Sequence, residues 1–181
     1  MANDVVTRSD ALSRFDGEFA RWRRALDAIG PERMTEPGVM GEWSAADLVA
    51  HLSGWQWKSL ASMRTALAGA EYPSTPWPSQ FNNPENWEED GDVEAINDWI
   101  HEQAQTVSPE SLVGDSRRQW AEIREIVTGL SNEQVNDPNL FPRLDGRSLG
   151  DVLTRDVLFG HVQEHINDDL NPWLEQNGRR G

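Results

Sequence analysis

The stretch Trp43–Leu67, "WSAADLVAHLSGWQWKSLASMRTAL", decides how the rest of the chain is read. Ser44 stands where an N-cap is needed, and Asp47 three residues on completes a capping-box signature with its charge at the favourable end of the helix dipole. Apolar residues then recur at Leu48, Val49, Leu52, Trp55, Leu60, Met63 and Leu67, and the pattern stops near Gly69. Intervals dominated by three and four mark one face of a long amphipathic helix. Such a face must be covered by other elements, so the neighbouring sequence has to supply them.

It supplies more helices. From Ser9 to Ile29, Leu12, Phe15, Phe19, Trp22, Leu26 and Ile29 form a second apolar stripe, stopped by Gly30 and Pro31. Helical periodicity resumes at "VEAINDWIHEQAQ" from Val93, and Ser108 with Pro109 offers an N-cap followed by proline at the first helical position. That segment runs to about Leu130, and the pattern leaves open whether it is one kinked helix or two. A last helix is expected from Ser148, with Asp151 repeating the capping arrangement, to about Gln176. No run of alternating β-branched residues suggests a strand. The expectation is an all-α, up-down four-helix bundle forming a single domain over residues 1–181. Between helices 2 and 3, residues 70–91 carry four prolines together with Trp77, Phe81 and Trp87, and read as a long lid-like loop.

Composition narrows the function. The formal charge is −15, from 31 acidic and 16 basic residues, which opposes nucleic-acid and anionic-membrane partners. Arg21, Arg23 and Arg24 are scattered around their helix axis rather than gathered. With no cysteine there is no disulfide, thiolate nucleophile or zinc ribbon. The N-terminus lacks a secretory pattern and no apolar run is long enough to span a bilayer, so a cytoplasmic protein is expected. An exposed face of the first or third helix leaves a homodimer open.

The chain holds four histidines, and two of them, His161 and His165, are four residues apart in "LFGHVQEHINDDL". On a helix that spacing stacks both imidazoles on one side. His51 lies inside the second helix and is the available third ligand if the two helices adjoin. Three neutral imidazoles suit Zn²⁺ and tolerate Ni²⁺, and three protein ligands leave a coordination position open to water or substrate. Set against this, a histidine on a half-apolar helix is often merely a packed, hydrogen-bonded residue. Glu164 and Asp168 share a row with His161 and are candidates for a general base or for orienting the imidazoles; Asp169 lies beside them. His101 has no partner at ligand spacing and reads as a surface or packing residue.

Beyond these features, "GEWSAADLVAHLSGWQW" resembles the second-helix signature of the DinB/YfiT-like superfamily, and "GHVQEHINDDLNPWL" resembles its final helix. "QFNNPENW", "LSNEQV" and the histidine-to-tryptophan ending are similar to a narrower branch, the ClbS/DfsB-like family. The resemblance spans roughly residues 10 to 175. It implies that His51, His161 and His165 form a divalent-metal triad. It also implies an activity among thiol-dependent S-transferases and isomerases or, in the narrower branch, a self-resistance protein that opens an electrophilic cyclopropane. Val162 stands where that branch often has an aromatic residue, and Tyr72 is the only tyrosine.

Three functions follow as expectations. In the first, activated water adds to or hydrolyses a reactive small molecule, with Trp55, Trp57, Trp77, Phe81 and Trp87 walling its pocket. In the second, the metal activates a low-molecular-weight thiol, with Arg143 or Arg155 the nearest arginines to bind its carboxylates. In the third, the tryptophan-lined bundle sequesters a hydrophobic ligand without chemistry.

Overall fold

The computed structural model describes residues 6–70, 77–81, 92–141, 144, 146–154 and 160–177. Its helices are α1 (Arg8–Ile29), α2 (Ala45–Leu67), α3 (Val93–Ala104), α4 (Pro109–Gly129), α5 (Asn132–Val135), α6 (Leu149–Thr154), α7 (Gly160–His165) and α8 (Asn171–Asn177). Among the described residues no strand forms; an isolated bridge pairs Met40 with Trp43. The architecture is the all-α bundle expected, with α2 against α3 and α4, and α1 against α4 and the C-terminal helices.

The caps lie where the sequence places them. Ser44 Oγ accepts the Asp47 N–H while Asp47 accepts the Ser44 N–H at 2.9 Å, a reciprocal box that starts α2. Ser108 caps α4 with Pro109 at its first position, and Ser148 Oγ accepts the Asp151 N–H at 3.1 Å. Phe15, Trp22, Leu48, Val49, Trp120, Ile123, Val127, Leu153 and Leu170 meet in the main core. Phe15 and Trp120 lie 5.1 Å apart between ring centres, joining α1 to α4.

Two details add to or differ from the sequence reading. The third helical segment, which the pattern leaves open as one kinked helix or two, is two helices, because α3 ends at Ala104 with Gln105 as its cap and a fresh N-cap at Ser108 restarts the chain as α4. The C-terminal helix is also not continuous: between α7 and α8 the chain makes a π-helical turn over Ile166–Leu170, where the Asn171 N–H reaches the Ile166 carbonyl. Pro172 supplies the reason. It has no N–H for the Asp168 carbonyl, and its ring crowds that carbonyl, so the helix widens instead of closing a regular turn. Of the Pro/Trp-rich loop, residues 77–81 are described, with a short 3₁₀ turn at Ser79–Phe81. Trp87, Arg143 and Arg155 lie outside the described residues.

Candidate metal centre

Two helices aim three imidazoles at one point. α2 brings His51 from its second turn, and α7 ends on His165 one turn after His161. His161 Nε2 lies 3.0 Å from His51 Nε2 and 3.0 Å from His165 Nε2. The three donor atoms all fall within 4.8 Å of one another. His51 and His165 are buried, while His161 is the most open of the three.

The proton inventory favours a cation. His165 Nδ1 meets Asp169 Oδ2 at 2.7 Å, which places the ring proton on Nδ1 and turns the Nε2 lone pair inward. His161 Nε2 faces both other Nε2 atoms, yet it carries at most one proton and can satisfy one neighbour at most. At least one inward lone pair is left facing another polar nitrogen, a poor arrangement that a shared cation resolves. Zn–N bonds of about 2.0–2.1 Å at tetrahedral angles would separate two ligand nitrogens by about 3.3 Å. The two 3.0 Å separations need ring adjustments of only a few tenths of an ångström, and the third pair lies within 4.8 Å, so the residues present fit a divalent metal.

Electrostatics keeps His51 and His161 neutral, as ligation requires. Burial pushes the His51 pKa down to about 4, helped by His161 and His165 and partly offset by Asn97. His51 Nδ1 nevertheless makes no well-formed hydrogen bond among the described residues. Burial also lowers His161, as does His165, against the opposing charge of Glu164. Both effects disfavour the imidazolium form that would expel a metal.

The carboxylates sort differently from the sequence reading. Glu164 and Asp168 are exposed, and Glu164 reaches the cluster only through its field at His161. The carboxylate hydrogen-bonded to a triad member is Asp169. The sequence carries this signal as His165-x-x-x-Asp169, one turn apart, on a different row from the one Glu164 and Asp168 share with His161.

Other contacts had no sequence signal because they join separate elements. Trp43, held by a turn in which Gly41 adopts φ 61°, sets its edge against His51 at 5.6 Å and stacks on His101 at 5.0 Å. His101 in turn meets Asp47 Oδ1 at 3.2 Å, so it is a stacked and paired residue between α3 and the start of α2. Asn97 on α3 accepts the Trp55 indole N–H at 2.9 Å.

The aromatic residues are divided. Trp55 and Trp77 meet edge to face at 5.1 Å, and Phe81 packs with Trp99 at 6.0 Å, in a second apolar cluster with Ile96 and Ile100. Trp57 and Trp77 line a cavity between α2, α3 and α4. Of the four described aromatic residues proposed from sequence, Trp55 is joined through Asn97 to the neighbourhood of His51.

No helix among the described residues is long and apolar enough to cross a membrane. No curated protein matches the chain. A solved structure of an uncharacterised protein from Escherichia coli UTI89 shares the fold, with a TM-score of 0.70 at 16% identity over 95% of each chain. The family model described as DinB superfamily matches residues 14–168, a span that contains all three histidines of the centre. By that match the chain belongs to the DinB superfamily.

Proposed function

We propose that the protein is a divalent-metal-dependent enzyme that acts on a reactive, electrophilic small molecule, hydrolysing or opening it with activated water in the manner of the ClbS/DfsB-like branch. The observation that carries this reading is the convergence of His51, His161 and His165 Nε2 atoms with no fourth protein ligand among the described residues. Three ligands and an open position are the catalytic rather than the structural arrangement. A cation held there supplies Lewis acidity and lowers the pKa of what it coordinates.

The chain's own residues do the rest. Asp169 fixes the tautomer and orientation of His165. Trp43 restricts rotation of His51 from one side, and Asn97 lies against it from α3. Glu164, exposed beside His161, is placed to exchange protons with solvent at the rim. Metal-dependent activation of a low-molecular-weight thiol is the second reading. It is favoured by the same open position and by a chain with no cysteine of its own.

The test is metal content by plasma mass spectrometry on untagged protein, beside a His51→Ala variant, followed by turnover of a model epoxide with and without added thiol. About one Zn²⁺ or Ni²⁺ per chain, lost in the variant together with turnover, is the expected result. Wild-type protein that stays metal-free after incubation with divalent ions would remove this reading and leave sequestration of a hydrophobic ligand in its place.

A further inference from the structure

The cavity between α2, α3 and α4 encloses about 540 Å³, within the range of ordinary small-molecule sites. Its lining, among the described residues, includes none of the triad histidines. On α2 it takes Ala50, Ser53, Gly54, Trp57, Leu60 and Arg64, a stripe at helical spacing. His51 and Trp55 project from a different face of the same helix, well over a third of a turn away.

Three features define what this cavity would hold. Trp57, Trp77 and Trp99, with Ile100 and Leu112, present flat and branched apolar surface, and Trp57 is 44% exposed at the edge. The charged residues of the lining form two internal pairs, Arg64 with Glu122 and Arg118 with Asp115, so neither an anion nor a cation is called for. Ser53 is buried, yet among the described residues its Oγ has no hydrogen-bond partner, and neither has the buried Oε1 of Gln119 on α4. A helical serine ordinarily returns its hydroxyl to the carbonyl four residues back, as Ser62 and Thr65 do on this same helix. Ser53 does not. Buried polar groups left unmade are costly, and since both residues belong to the lining of one cavity, a side-chain rotation turns either group toward a partner that arrives from outside.

We infer that this cavity is a second small-molecule site, separate from the metal centre, for an uncharged flat aromatic ligand bearing a hydroxyl or amide. That group accepts from Ser53 Oγ–H or donates to Gln119 Oε1 while the rings lie among the tryptophans. The site goes beyond the metal reading and does not depend on it.

The probe is 2-naphthol, with naphthalene as the matched ligand lacking the hydroxyl, titrated calorimetrically into wild type, Ser53→Ala, Gln119→Leu and Trp57→Ala. One saturable site per chain is expected for 2-naphthol, with naphthalene roughly 3- to 10-fold weaker. Ser53→Ala or Gln119→Leu should weaken 2-naphthol by a similar factor and abolish its advantage over naphthalene. Because either change removes an unpaired buried group, the melting temperature should hold or rise, which separates a binding role from a structural one. Bound metal per chain should stay at the wild-type value, whatever that value is. Absence of saturable binding would overturn the inference. So would equal affinities for the two ligands, or affinities unmoved by all three substitutions.

Discussion

Gly54→Ala is the substitution whose outcome the packing fixes most directly. A methyl group built at Gly54 would lie 2.5 Å from Ile100 Cδ1, 2.9 Å from its Cγ1 and 3.3 Å from its Cγ2. Gly54 is in the middle of α2 and Ile100 is a buried residue of α3, so the missing side chain lets the two helices approach. Two effects compete. Replacing glycine by alanine inside a helix gains about 1 kcal/mol of backbone propensity. Forcing a methyl into packed space costs about 1–3 kcal/mol, and β-branched Ile100 has little rotamer freedom with which to move aside. The net expectation is destabilisation of about 0–2 kcal/mol, and therefore not the gain that propensity alone forecasts.

A double-mutant cycle isolates the clash. Ile100→Ala alone should cost about 2–5 kcal/mol by leaving a cavity. In that background the contacting atoms are gone, so Gly54→Ala should become stabilising by up to about 1 kcal/mol. Urea unfolding of the four proteins gives the coupling, expected at about 1–3 kcal/mol in favour of the double variant. Additivity within about 0.5 kcal/mol, or a stabilised Gly54→Ala single variant, would refute the close approach. The consequence reaches the metal centre, since α3 carries Asn97 and His101. A variant that pushes α3 outward should also bind metal more weakly than wild type.

Two further predictions concern the centre itself. Asp169→Asn keeps the size of the side chain but removes the charge that fixes the His165 ring, and should weaken Zn²⁺ binding by roughly 10- to 100-fold in a chelator competition; an unchanged affinity would mean that His165 is oriented by packing alone. In metal-free protein, His51 is held neutral with a pKa of about 4 against an ordinary value of 6.5. The unfolded chain therefore binds more protons between those values, and stability is lost as pH falls through that window, by about 2–3 kcal/mol from this residue. Urea unfolding from pH 7 to pH 4 in the presence of chelator should show this slope flattened in His51→Gln, and an equal slope in both proteins would contradict it.

How much was legible in the sequence depended on whether a signal was local. Capping residues act within one turn, so Ser44, Ser108 and Ser148 could be placed without knowing any tertiary contact. The α2 stripe was only partly informative. Leu48, Val49, Leu52 and Leu60 are buried, but so are Ala45, Ala46, Ala50 and Ala61, because α2 is packed from several sides. Alanine adds little to an apolar pattern, which therefore understated the burial. Leu67, counted within the stripe, is 42% exposed at the helix end. Three of the four histidines could be assigned by spacing and resemblance, whereas the stacking of His101 on Trp43 depends on where α3 crosses α2. The π turn was foreseeable in kind from Pro172, though not as a π turn rather than a kink.

The aromatic residues teach a sharper lesson about reading one helix. Trp55 and Trp57 are two positions apart, and grouping them into one pocket treats α2 as having a single functional face. Two positions on a helix are about 200° apart, so side chains that close in sequence point away from each other. Trp55 shares a row with His51 and is tied through Asn97 to the metal centre. Trp57 shares a row with Ser53 and opens onto the other cavity. Gly54 sits between the two rows, and its contact with Ile100 fixes how near α3 comes to both. A change at Gly54 should then disturb metal affinity and 2-naphthol affinity together, whereas Asp169→Asn should touch only the first and Ser53→Ala only the second. Metal and 2-naphthol titrations of these three variants would separate two sites sharing one helix from a single extended pocket. In a single pocket, Ser53→Ala would shift metal affinity as well.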